Sequence, residues 1–360
     1  MADTSVATGL TVQQWDDKFY REYLQENRFS RFMGTGENNV IQVKEDLTKK
    51  KGDSVTYALV NKLSNNPVTG SSTLEGNEEA MVSRSHKVTV DKRRNGVRVA
   101  EVDEQFSAIS LRQAARPTLM DWAMEDTRDL TIAAMGSING VAYGSATEAE
   151  KDAWLVDNAD RVLFGAVKSN NSANDHSASL ANIDNTADKL TSSALSLMKR
   201  IALSASPKIR PIRVEGGRRF FVVFAGTETF RDLKTDTTLT QAQREVSIRM
   251  QNNKLFKGGD LEWDGMIVHE IDDIATLSGV GAGSIDVQPV YLCGAQAIAH
   301  AWAKRWRTVT EVFDYGDKHG VAVEAIYEVD KMTFGSGSGD TDDLKDHGIV
   351  TGFFAAVADS

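Results

Sequence analysis

The sequence predicts a mixed α+β fold carrying an appended β arm, and three observations support that class. Residues 53–103 show period-two alternation, with Val55, Tyr57 and Leu59 interleaved by Ser54, Thr56 and Ala58, as expected of a strand with one apolar face. From Gln105 onward the apolar residues switch to helical spacing. Beyond residue 200, short continuous apolar runs bounded by glycine read as strands of a sheet covered on both faces. With 360 residues, 41% of them hydrophobic and 26% charged, the chain can hold a main globular body with appendages.

Residues 1–52 mix aromatic and charged residues without sustained periodicity, and Trp15, Phe19, Tyr23 and Leu24 predict one short amphipathic helix in an otherwise extended arm. In the β arm, Asn95-Gly96 is the dipeptide best suited to a type I′ hairpin turn. A turn there sets Arg94 opposite Val97 and Lys92 opposite Val99. It gathers Val88, Val90, Val97 and Val99 on one face and Lys87, Thr89, Asp91, Arg93 and Arg98 on the other. A two-stranded ribbon is marginal alone in water, so the arm is expected to lie on a neighbouring surface. Pro117 divides the helical pattern that follows into a short segment ending at Ala115 and a longer spine from Thr118 to Met135, stopped by Gly136. Leu119, Trp122, Ala123, Leu130 and Ala134 mark its buried side.

Residues 137–185, rich in Gly, Ser, Asn and Asp, read as mostly loop with short elements. A helix is expected over roughly Thr186 to Leu203, with Leu190, Ala194, Leu197, Met198 and Ile201 on one face. Phe220 to Phe224 reads as a buried strand, 227–234 and 238–251 as helices, and Met266 to Val268 as a strand. Gly279 to Ser284 is a glycine-rich turn, Pro289 to Leu292 a strand, and Gly294 to Trp306 a helix with Ala297, Ile298, Ala301 and Trp302 inward. Val309 to Phe313 and Val321 to Val329 are expected to pair around Asp314-Tyr315-Gly316. Residues 335–346 read as a flexible loop, and Ile349 to Val357 as the last strand.

Signals for catalysis are weak. His269-Glu270 resembles the opening of a zinc-protease helix, but Asp273 stands where the second histidine belongs, so a strand end with polar residues is the simpler reading. Gly279, Gly281 and Gly283 follow no strong strand and precede no helix, which favours a turn over a phosphate loop. Neither a Gly-Lys-Ser/Thr run nor a Gly-x-Ser-x-Gly elbow occurs. Asp340-Thr341-Asp342-Asp343 lacks the ligand spacing and closing Glu of a calcium loop and reads as solvated. No catalytic, cofactor-binding or metal residue, and no cofactor, is therefore expected. Cys293, the sole cysteine, reads as a small core residue. The longest fully apolar runs, Phe220 to Ala225 and Phe353 to Ala358, are far short of a membrane span, and Met1 to Ser5 carry no export signal, so a soluble protein made inside the cell is expected.

The net charge of -10 argues against a general nucleic-acid binder. Arg84, Lys87, Lys92, Arg93, Arg94 and Arg98 form the densest positive set, open to three readings: a solvated hairpin, a nucleic-acid contact or a docking surface for an acidic partner. The acidic remainder of the chain favours docking on another copy, which makes these cations and the stripe Val88, Val90, Val97 and Val99 the candidate subunit contacts.

From residue 220 a series of short stretches recurs in a definite order. Phe221-Val222-Val223-Phe224 leads to Arg231-Asp232-Leu233, Asn253-Lys254-Leu255-Phe256-Lys257-Gly258 and Asp264-Gly265-Met266-Ile267-Val268-His269-Glu270. Leu292-Cys293-Gly294-Ala295-Gln296-Ala297 and Asp314-Tyr315-Gly316 follow. With the arm and spine before them, the chain resembles the tailed-bacteriophage major capsid proteins of the Hong Kong 97 fold, in particular a podovirus-like capsid family. The resemblance implies an N-terminal arm at 1–52, an E-loop at 53–104 that lies over an adjacent subunit, and a peripheral domain with spine helix and loop insertion at 105–204. It places an axial domain near 205–289 and a return to the peripheral domain at 290–360. It implies assembly of pentamers and hexamers into an icosahedral shell around phage double-stranded DNA, held without sequence-specific contacts. A portal and a scaffolding protein are implied partners, the latter a separate chain because no long helical leader precedes the arm; a decoration protein is a further candidate. No membrane is involved; the location is the virion, and the host cytoplasm during assembly. An encapsulating compartment or other lattice of the same fold is the alternative reading, and a hydrolase using His269 and Glu270 the third.

Overall fold

The computed structural model describes residues 28–48, 51–63, 65–107, 109–213, 217–245, 256–257 and 260–359. The helix expected near Trp15 to Leu24 and the end of the one read to residue 251 lie outside them. A single-turn helix at Arg28–Phe32 precedes the short strands β1 (Met33–Gly34) and β2 (Ile41–Lys44). Next come β3 (Ser54–Val60), β4 (Ser83–Thr89), β5 (Asp91–Ala100), α1 (Glu101–Phe106) and α2 (Leu111–Gly136). The polar stretch holds α3 (Glu148–Asn158), β6 (Val162–Phe164) and α4 (His176–Leu180), followed by α5 (Ser192–Ser204). Then follow β7 (Ile212–Arg213), β8 (Arg219–Ala225), α6 (Thr227–Thr235), α7 (Thr237–Glu245), β9 (Phe256–Lys257), β10 (Asp260–Trp263) and β11 (Met266–Glu270). The chain closes with β12 (Val287–Cys293), β13 (Ile298–Phe313), β14 (Lys318–Lys331), β15 (Thr333–Ser336), β16 (Asp342–Asp346) and β17 (Ile349–Ala355).

The chain divides into two compact units, and α2, β13 and β14 each contribute residues to both. The larger unit spans 28–91, 128–303 and 327 onward. Its centre is a mixed sheet in the order β6-β17-β12-β8-β11-β10-β9, with β7 on β8. Strands β12 and β17 are buried at every position, which explains their near-continuous apolar sequences. Helix α5 covers one face, with Leu195, Met198 and Ile201 packed among Val223, Leu292 and Phe354. It starts later than the expected Thr186 because Thr191 caps it, its Oγ1 accepting from the Ala194 amide at 3.3 Å. The smaller unit, at 92–127 and 304–326 among the described residues, sets the first part of α2 on the end portions of β13, β14 and β5. Ala115 and Leu119 are buried with Val321 and Val323, and Trp122 meets Trp306 edge to face at 5.8 Å.

Several expectations are corrected. Asn95 and Gly96 make no turn: both lie inside β5, and neither has the positive φ that a type I′ turn requires. β5 is instead the hydrogen-bonded neighbour of β14 in the sheet, and a Cβ on Gly96 would stand 3.1 Å from that of Ala322. The hairpin is β3 with β4, in a register that pairs Val55 with Val88 and Tyr57 with His86, and its connection is residues 61–82. The four valines therefore do not form one stripe. Gly294 to Trp306 is not helical; Ile298–Ala301 run parallel to Ile41–Lys44 and are buried on both sides, which erases the alternation that marks a strand. Pro117 does not divide the spine: α2 continues through it, because Ala115 and Leu119 on either side pack against the same strand. Residues 335–346 are not all loop, since β15 pairs antiparallel with β16. The polar stretch is more ordered than its composition suggests. A reciprocal Thr147–Glu150 capping box starts α3, and the Asp188 carboxylate accepts from the amides of Ala166 (2.8 Å) and Asp184 (3.0 Å).

Candidate assembly surfaces

The first surface is the β3–β4 hairpin in the larger unit. Its root is fixed to its own body: Val55, Tyr57 and Val88 are buried with Ala299, Ala301, Met332 and Phe334, and Val90 packs at the edge of that cluster. His86 lies 3.4 Å from Asp330 and 3.3 Å from the Thr333 hydroxyl. Asp340 accepts from the Ser85 amide (2.8 Å) and hydroxyl (2.7 Å) and lies 3.6 Å from Arg84, which together hold its carboxyl below the usual range. Lys87 projects to solvent. The connection 61–82 beyond this root is exposed, with Leu63 (53%), Leu74 (63%) and Met81 (74%) facing water.

The second surface is the sheet of the smaller unit. Lys92 (2.7 Å), Lys304 (3.3 Å) and Arg307 all bind the Glu324 carboxylate, and these hydrogen bonds lower it to about 2. Arg93 is paired with Asp126 on α2 at 3.3 Å. Arg94 and Arg98 are exposed, Val99 is buried, and Val97 remains 40% exposed. The ten candidate contacts thus separate. Arg84, Lys87, Val88 and Val90 belong to the hairpin root; Lys92, Arg93, Arg94, Val97, Arg98 and Val99 belong to this sheet. Lys92 and Arg93 already have partners within the chain. Sequence reasoning missed residues 61–82 because it placed the turn at the wrong dipeptide; their Pro, Gly, Ser and Asn content was the available signal.

The residues that looked closest to chemistry are occupied by structure. His269 is buried in β11, with its ring 4.9 Å from that of Phe32, and Glu270 lies 3.4 Å from Lys234. Asp273 pairs with Arg128 at 3.2 Å. The Gly279 amide donates to Asp286 at 2.8 Å, closing the glycine-rich turn. Asp343 accepts from the Ser336 hydroxyl, and no group of three His, Cys, Asp or Glu among the described residues is placed to hold a metal. Cys293 is fully buried, and desolvation raises its thiol. No helix among the described residues is long and apolar enough to cross a membrane.

The described residues hold a large sheet core, a hairpin whose connection is exposed, and a sheet that exposes Arg94 and Arg98. Residues 3–357 match the family described as phage capsid protein, and the chain belongs to that family. It is 29% identical over 364 residues to the major capsid protein of Pseudomonas phage KPP25, covering 95% of this chain and 94% of that one. It is 35% identical to a chain of the cyanophage Pam1 capsid asymmetric unit, with a TM-score of 0.89 and both chains covered completely. The capsid chain of Ralstonia phage GP4, at 23% identity, shares the fold with a TM-score of 0.76 over the whole of both chains. The mixed helix-and-strand class expected from the sequence is the one these capsid chains share. The chain is a shell-forming structural protein of a phage virion that assembles with copies of itself.

Proposed function

We propose that the chain is the major capsid protein of a tailed phage, assembling through pentameric and hexameric capsomers into an icosahedral shell around double-stranded DNA. The observation that carries this reading is the whole-length likeness, at 35% identity, to a capsid chain. Contacts between different patches of identical subunits close into rings, and one projection per subunit extends each ring to the next. Many weak contacts then sum to a strong shell. Within the E-loop at 53–104, residues 61–82 on the β3–β4 root are the part that reaches a neighbour. Helix α2, at 26 residues, is the spine of the peripheral domain at 105–204, and 290–360 return to it. The axial domain occupies about 205–289, and 1–52 form the N-terminal arm. The chain performs no catalysis; His269 and Glu270 serve packing and ion pairing. Assembly takes place in the host cytoplasm with a separate scaffolding protein and a portal, and a decoration protein is a further partner. The acidic chain, at -10, suits a lumen to which packaged DNA does not adhere.

Electron microscopy of the purified protein, with and without scaffold, tests the reading. Closed icosahedral particles are expected; a strict monomer at high concentration refutes it. An encapsulating compartment of the same fold differs in lacking packaged DNA and a portal vertex, both visible in the same images.

A further inference from the structure

The dipeptide Asn-Gly occurs twice, at 95–96 and 139–140, and the fold gives the two occurrences opposite geometries. Asn139-Gly140 is the one that turns. Both residues have positive φ, at 48° and 84°, and Ile138 and Val141 exchange backbone hydrogen bonds of 2.8 and 2.9 Å across them. The mirror-image dihedrals of that turn carry the Gly140 nitrogen to the far side of Cα from the Asn139 side chain, whose oxygen is buried. Asn95-Gly96 lies extended in β5, with both residues exposed. Here the Gly96 amide donates to the Asn95 side-chain oxygen at 2.8 Å, which puts the nitrogen within about 4 Å of the side-chain carbonyl carbon. Among the described residues β5 is the end strand of its sheet, so β14 holds this peptide from one side only. Packing favours glycine at 96: a Cβ there would lie 3.1 Å from that of Ala322 and 3.3 Å from the Val321 carbonyl oxygen.

We propose that Asn95 is a site of spontaneous covalent modification, a slow deamidation that the fold directs to this Asn-Gly pair and withholds from the other. The deprotonated Gly96 nitrogen attacks Asn95 Cγ and forms a new N–C bond. The Cγ–Nδ2 bond breaks, and Nδ2 leaves as ammonia after taking a proton from water. The product is a five-membered succinimide. Water adds to either of its carbonyls and opens the ring to aspartate or to isoaspartate; nothing is oxidised or reduced. Both products put a carboxylate where the chain had a neutral amide, one more negative charge on the formal -10. Alternation sets position 95 on the same face of β5 as Arg93, whose guanidinium is tied to Asp126 on α2 at 3.3 Å, so the new charge competes for that cation. Isoaspartate does more. It routes the backbone through one extra methylene, so residues 91–94 and 97–100 no longer both keep their register along β14. The reaction follows from the fold of the single subunit and is independent of the shell it builds.

Folded and urea-unfolded protein, aged side by side in warm, mildly alkaline buffer and mapped peptide by peptide by mass spectrometry, test the site. The converted peptide is heavier by about one mass unit, and electron-transfer fragmentation separates isoaspartate from aspartate. In the folded protein, conversion at 95 should exceed that at 139 roughly tenfold or more, and the two should become similar once the chain is unfolded. The rate at 95 should rise roughly tenfold per pH unit, since the deprotonated amide is the nucleophile. Asn95→Gln, whose ring closure needs six members, should stay unmodified over the same period and keep its melting temperature, while the aged native chain melts lower. No conversion at 95 in the folded protein, or equal conversion at 95 and 139, overturns the proposal. An aged melt that falls equally in Asn95→Gln places the loss elsewhere and overturns the consequence assigned to this site.

Discussion

Replacing Lys331 by methionine should destabilise the larger unit by about 3–5 kcal/mol, the usual cost of breaking a buried ion pair from one side. The Lys331 Nζ and Asp346 Oδ2 atoms are 2.8 Å apart, and both side chains are 2% exposed. The same carboxylate oxygen accepts from Trp154 Nε1 at 3.1 Å, while Oδ1 has no hydrogen-bond partner. Without the ammonium the carboxylate keeps a single side-chain donor in an apolar setting. Methionine fills most of the volume of the lysine stem, so the cavity contribution is small and the loss is electrostatic. The double variant Lys331→Met with Asp346→Leu removes both charges and orphans only the Trp154 N–H, which costs about 1–3 kcal/mol. It should therefore be more stable than Lys331→Met alone. Urea unfolding of dissociated subunits, followed by tryptophan fluorescence, measures all three proteins. A Lys331→Met loss below about 1 kcal/mol, or a double variant weaker than the single one, would show that the pair is not the buried electrostatic anchor described.

Three further outcomes are expected. Replacing residues 61–82 with a short turn that keeps β3 and β4 paired should leave the subunit melt nearly unchanged and abolish closed shells in electron micrographs; deleting 83–102 instead would remove all of β4 and β5 and unfold the chain. Burial, with Arg161 and Arg210 nearby, lowers the His347 imidazole from 6.5 to about 4, so between those values the unfolded chain binds a proton that the folded one does not. Stability should then fall as pH is lowered through that window, by up to about 3 kcal/mol, and His347→Gln should flatten the slope of urea midpoints between pH 7 and 4. His269→Phe should leave shell yield unaltered and shift only the melting temperature, since His269 packs between Phe32 and Phe224; loss of assembly with an unchanged melt would contradict a packing role.

Strands whose partners bury both faces were legible wherever bulky residues filled them. Phe221 to Phe224 and Ile349 to Ala355 are runs that only a covered sheet explains. The same burial was illegible at Ala297 to Ala301, where small residues fill a covered strand and mimic helical spacing. Asn95-Gly96 shows the limit of local preference. A turn dipeptide is worth little against a continuous ladder with β14, more than 200 residues away. The order in 137–190 was hidden for another reason: Asp188 and Thr147 organise it through backbone amides, and composition reads the same residues as loop. The grouping of the candidate cations was not legible, because Arg84 and Lys87 lie on β4 and Arg94 and Arg98 on β5, two strands that the turn placed at Asn95-Gly96 had joined wrongly.

Among the described residues the smaller unit is assembled from two pieces of chain, 92–127 and 304–326. During synthesis, the first piece leaves the ribosome roughly 180 residues before the second, which at about 5–20 residues per second is on the order of ten to thirty seconds. For that interval β5 has no ladder, Asn95-Gly96 is free to turn, and Ala115 and Leu119 have nothing to cover them. A nascent chain with a basic, apolar segment waiting for its late partner is a natural client for a chaperone. Translation pauses placed before codon 304 should lower the soluble yield more than pauses placed after codon 326.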